Sequence, residues 1–254
     1  MPASPQIPYA GFAQTPPFAR LGYGSFGRAD AVAIALREWR LWGSPVDDDP
    51  PGTRPPPGDN KPERYPGLWQ RVGEYWWNGE DANSITASWT GKHDANGSVF
   101  SASQDSRYPW SAAFISYIMR IAGAGDRFPY AAAHATYINA AKAQSEAGGG
   151  GLIVTAERPD RYAPQPGDLI CLGRGNSRAL TYDDLPTASF PGHCDIVVAA
   201  SGSELSVIGG NVDDTVTEKH IPTSPGGMLV DPATGAVVDT RYPWFVVLRV
   251  AYDT

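Results

Sequence analysis

Four residues have the types and the chain order that nucleophilic hydrolysis needs: Ser111, His193, Asp195 and Asn211. A hydroxyl nucleophile needs a neighbouring base, and the base needs a third polar group to fix its tautomer. Ser111 would supply the hydroxyl, His193 the general base and acid, and Asn211 the orienting group. Asp195 competes for the orienting role, because residues i and i+2 of a strand share a face. The pattern predicts acyl transfer, although each residue on its own also fits a structural role.

Ser111 falls in the first turn of a predicted helix over residues 108–123. Pro109 suits the first helical position, Gly123 suits the stop, and Phe114 and Ile118 begin an apolar stripe. Unpaired N–H groups and the positive end of the helix dipole favour developing negative charge in a first turn. The backbone around Trp110 and Ser111 is therefore predicted to form part of an oxyanion hole.

His193 differs from the other histidines because Gly192 precedes it and an apolar strand follows. A rigid strand suits a general base, which must be held in place. His134 lies on a predicted helix, where it is either structural or part of a cleft. Aromatic residues could line the same cleft, with core packing as the alternative. The predicted substrate contacts are Trp110, Trp89, Tyr130 and His134.

Metal and cofactor chemistry are not predicted. His193, Cys194, Asp195 and Asp213 offer ligand atoms, but consecutive strand residues face opposite sides and no zinc motif is present. The chain also lacks the glycine fingerprints of nucleotide-binding loops. The formal net charge is −7 without a long basic run, which argues against nucleic acid as a partner.

The order of elements predicts an α+β fold in which helices pack on an antiparallel sheet. The 254 residues are 42% hydrophobic, enough for one good core, and 24 prolines and 28 glycines indicate many loops. We predict an N-terminal extension over residues 1–66, with one helix and a Pro-rich loop, and a hydrolase domain over residues 67–254. The predicted helices cover residues 28–42, 67–77, 108–123 and 131–147, and the predicted strands residues 152–154, 164–172, 192–200, 204–208, 214–221 and 242–252.

Two features bear on the compartment. Cys171 and Cys194 could form one bridge or stay buried thiols. No apolar run has the length of a transmembrane helix, and the N-terminus lacks the pattern of a signal peptide. These observations are compatible with a cytoplasmic protein, with export that needs no cleaved signal, or with loss of an export segment.

The order of these motifs resembles the NlpC/P60 and CHAP group of papain-like cell-wall peptidases and amidases. Tyr108-Pro-Trp-Ser-Ala-Ala-Phe is similar to the CHAP-type Pro-Trp-Cys-Ala-Ala-Phe, and Ile208-Gly-Gly-Asn is similar to a Gly-Gly-Asn segment of that group. The similarity covers roughly residues 105–221 and also includes Pro-Gly-Asp before a strand and Gly-His at the next. The whole chain also resembles a bacterial family of unknown function.

The resemblance implies a papain-like fold and a catalytic Cys at the position that Ser111 occupies. Three explanations for the serine remain open: a natural serine enzyme, a Cys→Ser substitution, or a pseudoenzyme that binds without cutting. Serine is much less acidic than a thiol, so the helix dipole alone does not ionise it and a placed base becomes indispensable.

The expected function is hydrolysis of amide bonds in peptidoglycan stem peptides. If the wall is the substrate, delivery by a secretion machine would make the protein an interbacterial effector, with an inhibitory immunity-type protein as a partner. Two alternatives belong to other classes: a catalytically silent peptide- or glycan-binding module, and a serine esterase or acyl hydrolase.

Overall fold

The structure is a computed structural model that describes residues 24–53, 58–80, 92–94 and 96–254. The predicted α+β class with an antiparallel sheet is confirmed, with the helices in the first half of the chain and the strands in the second. The helices are α1 (Arg28–Leu41), α2 (Leu68–Gly79), α3 (Ala102–Asp105), α4 (Ser111–Ile121) and α5 (His134–Glu146); the strands are β1 (Val154–Glu157), β2 (Leu169–Gly173), β3 (Gly192–Ala200), β4 (Glu204–Val212), β5 (Thr215–Pro222) and β6 (Trp244–Val250).

The six strands form one antiparallel sheet in the order β1-β6-β2-β3-β4-β5. Strand β3 pairs with β2 on one side and with β4 on the other. Because β2 and β4 both restrain β3, the His193 side chain near the start of β3 lies on a rigid element. His193 lies opposite Leu172 in this ladder.

The sheet separates two clusters of buried apolar side chains. The larger cluster lies between the sheet and the helices and includes Phe114, Cys194 and Ile196. The smaller cluster includes Val197 and Trp244, with Leu229 from the segment that joins β5 to β6. Because strand side chains alternate between faces, β3 contributes Cys194 and Ile196 to the helix side and Val197 to the other side.

Helix α4 is the central helix of the larger core, and ten of its eleven residues are buried. It begins at Ser111, two residues later than Pro109, which the sequence places at the first helical position. Trp110 takes the N-cap position with a non-helical ψ of 8°, and its indole N–H donates to Glu63 at 2.6 Å. At the other end the predicted stop is present: Gly123 has a φ of +96°, and the Ala124 N–H donates to the Met119 carbonyl.

Helix α1 packs against α4 and β3, although the sequence assigns it to the N-terminal extension. Its buried Glu38 carboxylate accepts hydrogen bonds from Arg71 of α2, from the Tyr75 hydroxyl at 2.7 Å and from the Tyr117 hydroxyl at 3.3 Å. The division of the chain at residue 66 stays a prediction, but α1 shares its core with the rest of the chain.

The two cysteines form a disulfide, an alternative that the sequence leaves open. Cys171 and Cys194 face each other across β2 and β3, and both are fully buried. No helix in the described ranges is long and apolar enough to cross a membrane.

Candidate functional site

The Ser111 side chain lies at the first residue of α4, where its hydroxyl contacts a histidine. Its Oγ lies 2.7 Å from Nε2 of His134, the first residue of α5. The second ring nitrogen of His134 contacts the Tyr137 hydroxyl one turn further along the helix. The first N–H groups of a helix have no intrahelical partner, so those beside Ser111 are available to an oxyanion.

A second histidine belongs to a buried charged cluster on the sheet. His193 Nε2 lies 2.7 Å from Asp195 Oδ1, and the Lys219 ammonium of β5 lies 2.6 Å from Asp195 Oδ2. All three side chains are at most 1% exposed. The Lys219 charge is the main cause that holds the pKa of Asp195 well below its usual range, against the effect of burial. The carboxylate is therefore ionised, and its contact with His193 requires a proton on Nε2.

This arrangement leaves the other nitrogen of His193 as a lone-pair acceptor. Nδ1 is buried and has no hydrogen-bond partner within the described residues. Burial, together with the charge of Arg174, lowers the pKa of His193 to about 4. A neutral imidazole whose tautomer is fixed by a carboxylate is the state that a general base requires.

The two histidines lie side by side, with ring centroids 5.2 Å apart. Burial holds the pKa of His134 well below its usual range, and the neighbouring His193 and Arg174 act in the same direction. Both rings are therefore neutral at physiological pH. The polar side chains therefore form two hydrogen-bonded pairs, Ser111–His134 and His193–Asp195, whose imidazole rings lie beside each other.

Two glycines of β4 make room for these pairs. A Cβ atom at Gly209 would lie 1.9 Å from Asp195 Oδ1 and 3.0 Å from His193 Nε2. A Cβ atom at Gly210 would lie 2.6 Å from Phe114 of α4. The Gly209-Gly210 pair therefore admits the His–Asp pair on one face of the strand and the close approach of α4 on the other.

Asn211 is not the residue that orients His193 in this structure. Within the part of the chain that the structure describes, no hydrogen bond joins the two, and Asp195 occupies that position. Asn211 has a positive φ of 56° and lines a cavity of about 680 Å³ that also reaches His193 and Lys219. Ser111 is 5% exposed and is not among the lining residues.

The residues predicted to contact the substrate do not line one common cleft in the described structure. Trp110 is fully buried, and its ring stacks on Trp42 in the core. Tyr130 is half-buried under the Arg120 guanidinium, with its hydroxyl donating to the Gly125 carbonyl. Trp89 lies outside the described residues. His134, predicted as a substrate contact, is the histidine that contacts Ser111.

Several residues of the site escape sequence reasoning. Lys219 has no motif around it, and the pairing of β4 with both β3 and β5 brings it near Asp195. Glu63 follows a Pro-rich stretch, yet burial raises the pKa of its carboxyl to about 7 while it accepts the hydrogen bond from Trp110. Asp195 was predictable from strand alternation, because residues 193 and 195 lie on the same face of the strand.

No group of three or more His, Cys, Asp or Glu side chains in the described ranges could hold a metal ion. The groups near Ser111 that could take part in chemistry are its hydroxyl, two neutral imidazoles and the Asp195 carboxylate.

Fold and site together define an α+β protein with a helix-terminal serine in contact with a buried histidine. Residues 63–250 match the model of a bacterial family described as uncharacterized proteins conserved in bacteria, DUF2272. The match covers most of the chain, and the protein belongs to this family. No curated protein and no solved structure matches the chain.

Proposed function

We propose that the protein is a papain-like hydrolase that cleaves amide bonds, with Ser111 as the nucleophile. The observation that carries this proposal is the 2.7 Å contact between Ser111 Oγ and His134 Nε2 at the first turn of α4. A nucleophile in hydrogen-bond contact with a neutral imidazole is the basic requirement of acyl transfer. The resemblance to the NlpC/P60 and CHAP group makes peptidoglycan stem peptides the expected substrate class.

The reaction has two stages. Ser111 Oγ adds to the amide carbonyl carbon while its proton passes to a histidine nitrogen, and the C–N bond then breaks as the amine takes that proton. Water next adds to the ester on Ser111, releasing a carboxylic acid and the free hydroxyl. His134 is the acceptor that the contact favours, with Nδ1–H donating to Tyr137 in the productive tautomer.

His193 remains the base predicted from the sequence. Its tautomer is already fixed by Asp195, its Nδ1 is without a partner among the described residues, and it lines the cavity. These features suit proton transfer to or from a bound substrate or water.

The test is digestion of purified peptidoglycan, with products separated by chromatography and identified by mass spectrometry. We expect Ser111→Ala to lose at least about a thousandfold in rate. Ser116→Ala is the matched control, because it removes another buried hydroxyl from α4 and should stay near the wild-type rate. Equal product from wild type and Ser111→Ala would remove Ser111 from the mechanism.

Two histidine variants then identify the base. Loss of activity in His134→Ala that exceeds the loss in His193→Ala assigns the first proton transfer to His134. The reverse order restores the assignment predicted from the sequence, with Ser111 moving toward His193 during the reaction.

A catalytically silent binding module is the second candidate, and the 5% exposure of Ser111 favours it. A substrate carbonyl must reach that hydroxyl, whereas a binding module needs only the cavity that His193 lines. This candidate predicts saturable binding of peptide without any covalent adduct from serine-directed fluorophosphonate probes.

A further inference from the structure

Arg174 and Arg178 lie on the turn that follows β2, and both line the 680 Å³ cavity beside His193. Both residues are exposed to solvent, although the surrounding protein partly desolvates the Arg174 guanidinium and lowers its pKa, against the nearby charges of Asp195 and Asp213. Among the residues that the structure describes, neither guanidinium has a hydrogen bond or an ion pair. Lys219, the third cation of the cavity, is already paired with Asp195.

The backbone fixes Arg174 close to the candidate site. Gly173 pairs with Gly192 in the sheet, and the Arg174 N–H donates to the Pro191 carbonyl at 2.8 Å. Pro191 and Gly192 lead directly into His193. The guanidinium is near enough for its charge to lower the pKa of both His134 and His193.

The acidic residues of the cavity limit which ligands it can bind. Asp47, Asp213 and Asp214 also line it, and Asp214 is paired with Lys61 at 3.3 Å. This mixture of charges disfavours a polyanion such as nucleic acid. A guanidinium presents a planar fork of donors that fits a carboxylate with two parallel hydrogen bonds.

We propose that the cavity binds a substrate carboxylate on Arg174, with Arg178 as a second cation, and so selects amide substrates that carry a carboxylate near the reacting bond. The part of this inference that concerns substrate selection rests on the proposed hydrolase function. The binding itself does not depend on catalysis, and the experiment therefore uses the Ser111→Ala variant.

The probes are three N-acetylated dipeptides measured by isothermal titration calorimetry. N-acetyl-alanyl-alanine carries a terminal carboxylate, its C-terminal amide carries none, and N-acetyl-glutamyl-alanine amide carries only a side-chain carboxylate. We expect at least one of the two acids to bind about tenfold or more tightly than the neutral amide. The tighter of the two acids identifies whether the terminal or the side-chain carboxylate is recognised.

A second substitution tests the residue. Arg174→Ala in the Ser111→Ala background should remove the preference for the acid, and Arg174→Lys should restore only part of it, because an ammonium lacks the fork. Arg40→Ala is the matched control, since it removes the same charge from an exposed position on α1 outside the cavity. It should leave the preference unchanged.

Equal affinity for acids and amide, no binding of either acid, or a preference that survives Arg174→Ala would each overturn the inference. None of these results bears on whether the wild-type protein hydrolyses amide bonds. Conversely, an acid preference that depends on Arg174 stands even if peptidoglycan digestion fails, in which case the cavity belongs to a binding module.

Discussion

Two buried polar clusters of this protein differ in how completely they are paired. Around Glu38, two helices besides α1 supply partners, and no buried side-chain atom of Glu38, Arg71, Tyr75 or Tyr117 in the described structure lacks a hydrogen bond. Around His193, the Asp195 carboxylate contacts the imidazole and the Lys219 ammonium, but Nδ1 of the imidazole has no hydrogen-bond partner among the described residues, and His193 lines the cavity. A fully paired cluster holds helices together, whereas an unpaired basic nitrogen next to a cavity can act on a bound molecule.

The comparison predicts that breaking the Glu38 cluster harms stability but not chemistry. Glu38→Ala leaves the Arg71 guanidinium, which is 17% exposed, without its buried carboxylate. We expect a loss of about 3–5 kcal/mol in the free energy of unfolding, measured by urea denaturation. The activity per folded molecule should stay near wild type.

Glu74→Ala is the control for this substitution, because Glu74 contacts the same arginine from a half-exposed position. It should cost less than about 1 kcal/mol. A similar cost for the two variants would contradict the view that the Glu38 cluster stabilises the fold through burial.

The His193 cluster should instead make stability depend on pH. The pKa of His193 is about 4 in the folded protein against 6.5 for the free side chain, so the unfolded chain binds more protons between these values. The contribution is complete above pH 6.5 and is lost as pH falls toward 4. The shift corresponds to about 3 kcal/mol.

The measurement compares wild type with His193→Gln in urea denaturation across this range. The buried Glu63 carboxyl, with its pKa raised to about 7, changes stability in the opposite direction but is common to both proteins. The difference between the two unfolding free energies therefore isolates His193. A difference that is constant from pH 4 to pH 6.5 would mean that His193 is not held neutral by burial.

Displacing the His193–Asp195 pair without removing it should lower activity by a smaller factor than the loss expected for Ser111→Ala. Gly209→Ala puts a methyl group where Asp195 Oδ1 lies, so the carboxylate and the imidazole must move. A misplacement on the order of 1 Å costs about a hundredfold in rate. Gly202→Ala is the control, because a Cβ there has no neighbour within 4 Å. Equal activity of the two variants would show that the position of this pair does not matter for turnover.

The fold was largely predictable because it depends on local patterns. Apolar runs bounded by turn residues predicted the strands, and the apolar stripe with Gly123 predicted α4 and its end. The shared face of His193 and Asp195 also follows from alternation. The contact between Ser111 and His134 was not predictable, because it depends on how α5 packs beside α4, and no local pattern specifies that.

The same limit applies to the charges of the site. Lys219 and Arg174 reach His193 through strand register and a loop, which depend on pairing between distant segments. The sequence favoured Asn211 as the orienting residue because it follows two glycines at a predicted strand end and because Gly-Gly-Asn resembles a known segment. In the structure the two glycines serve instead to admit Asp195 and Phe114.

The disulfide next to His193 makes the state of the site depend on the compartment in which each molecule folded. Both sulfur atoms are buried in the core between the sheet and the helices, so a reductant in solution reaches them only when that core opens. Thiol–disulfide exchange needs direct attack by a thiolate. The oxidation state of this bond is therefore decided in the compartment where the chain folds, and a folded molecule that later enters a reducing compartment keeps the bond until that core opens.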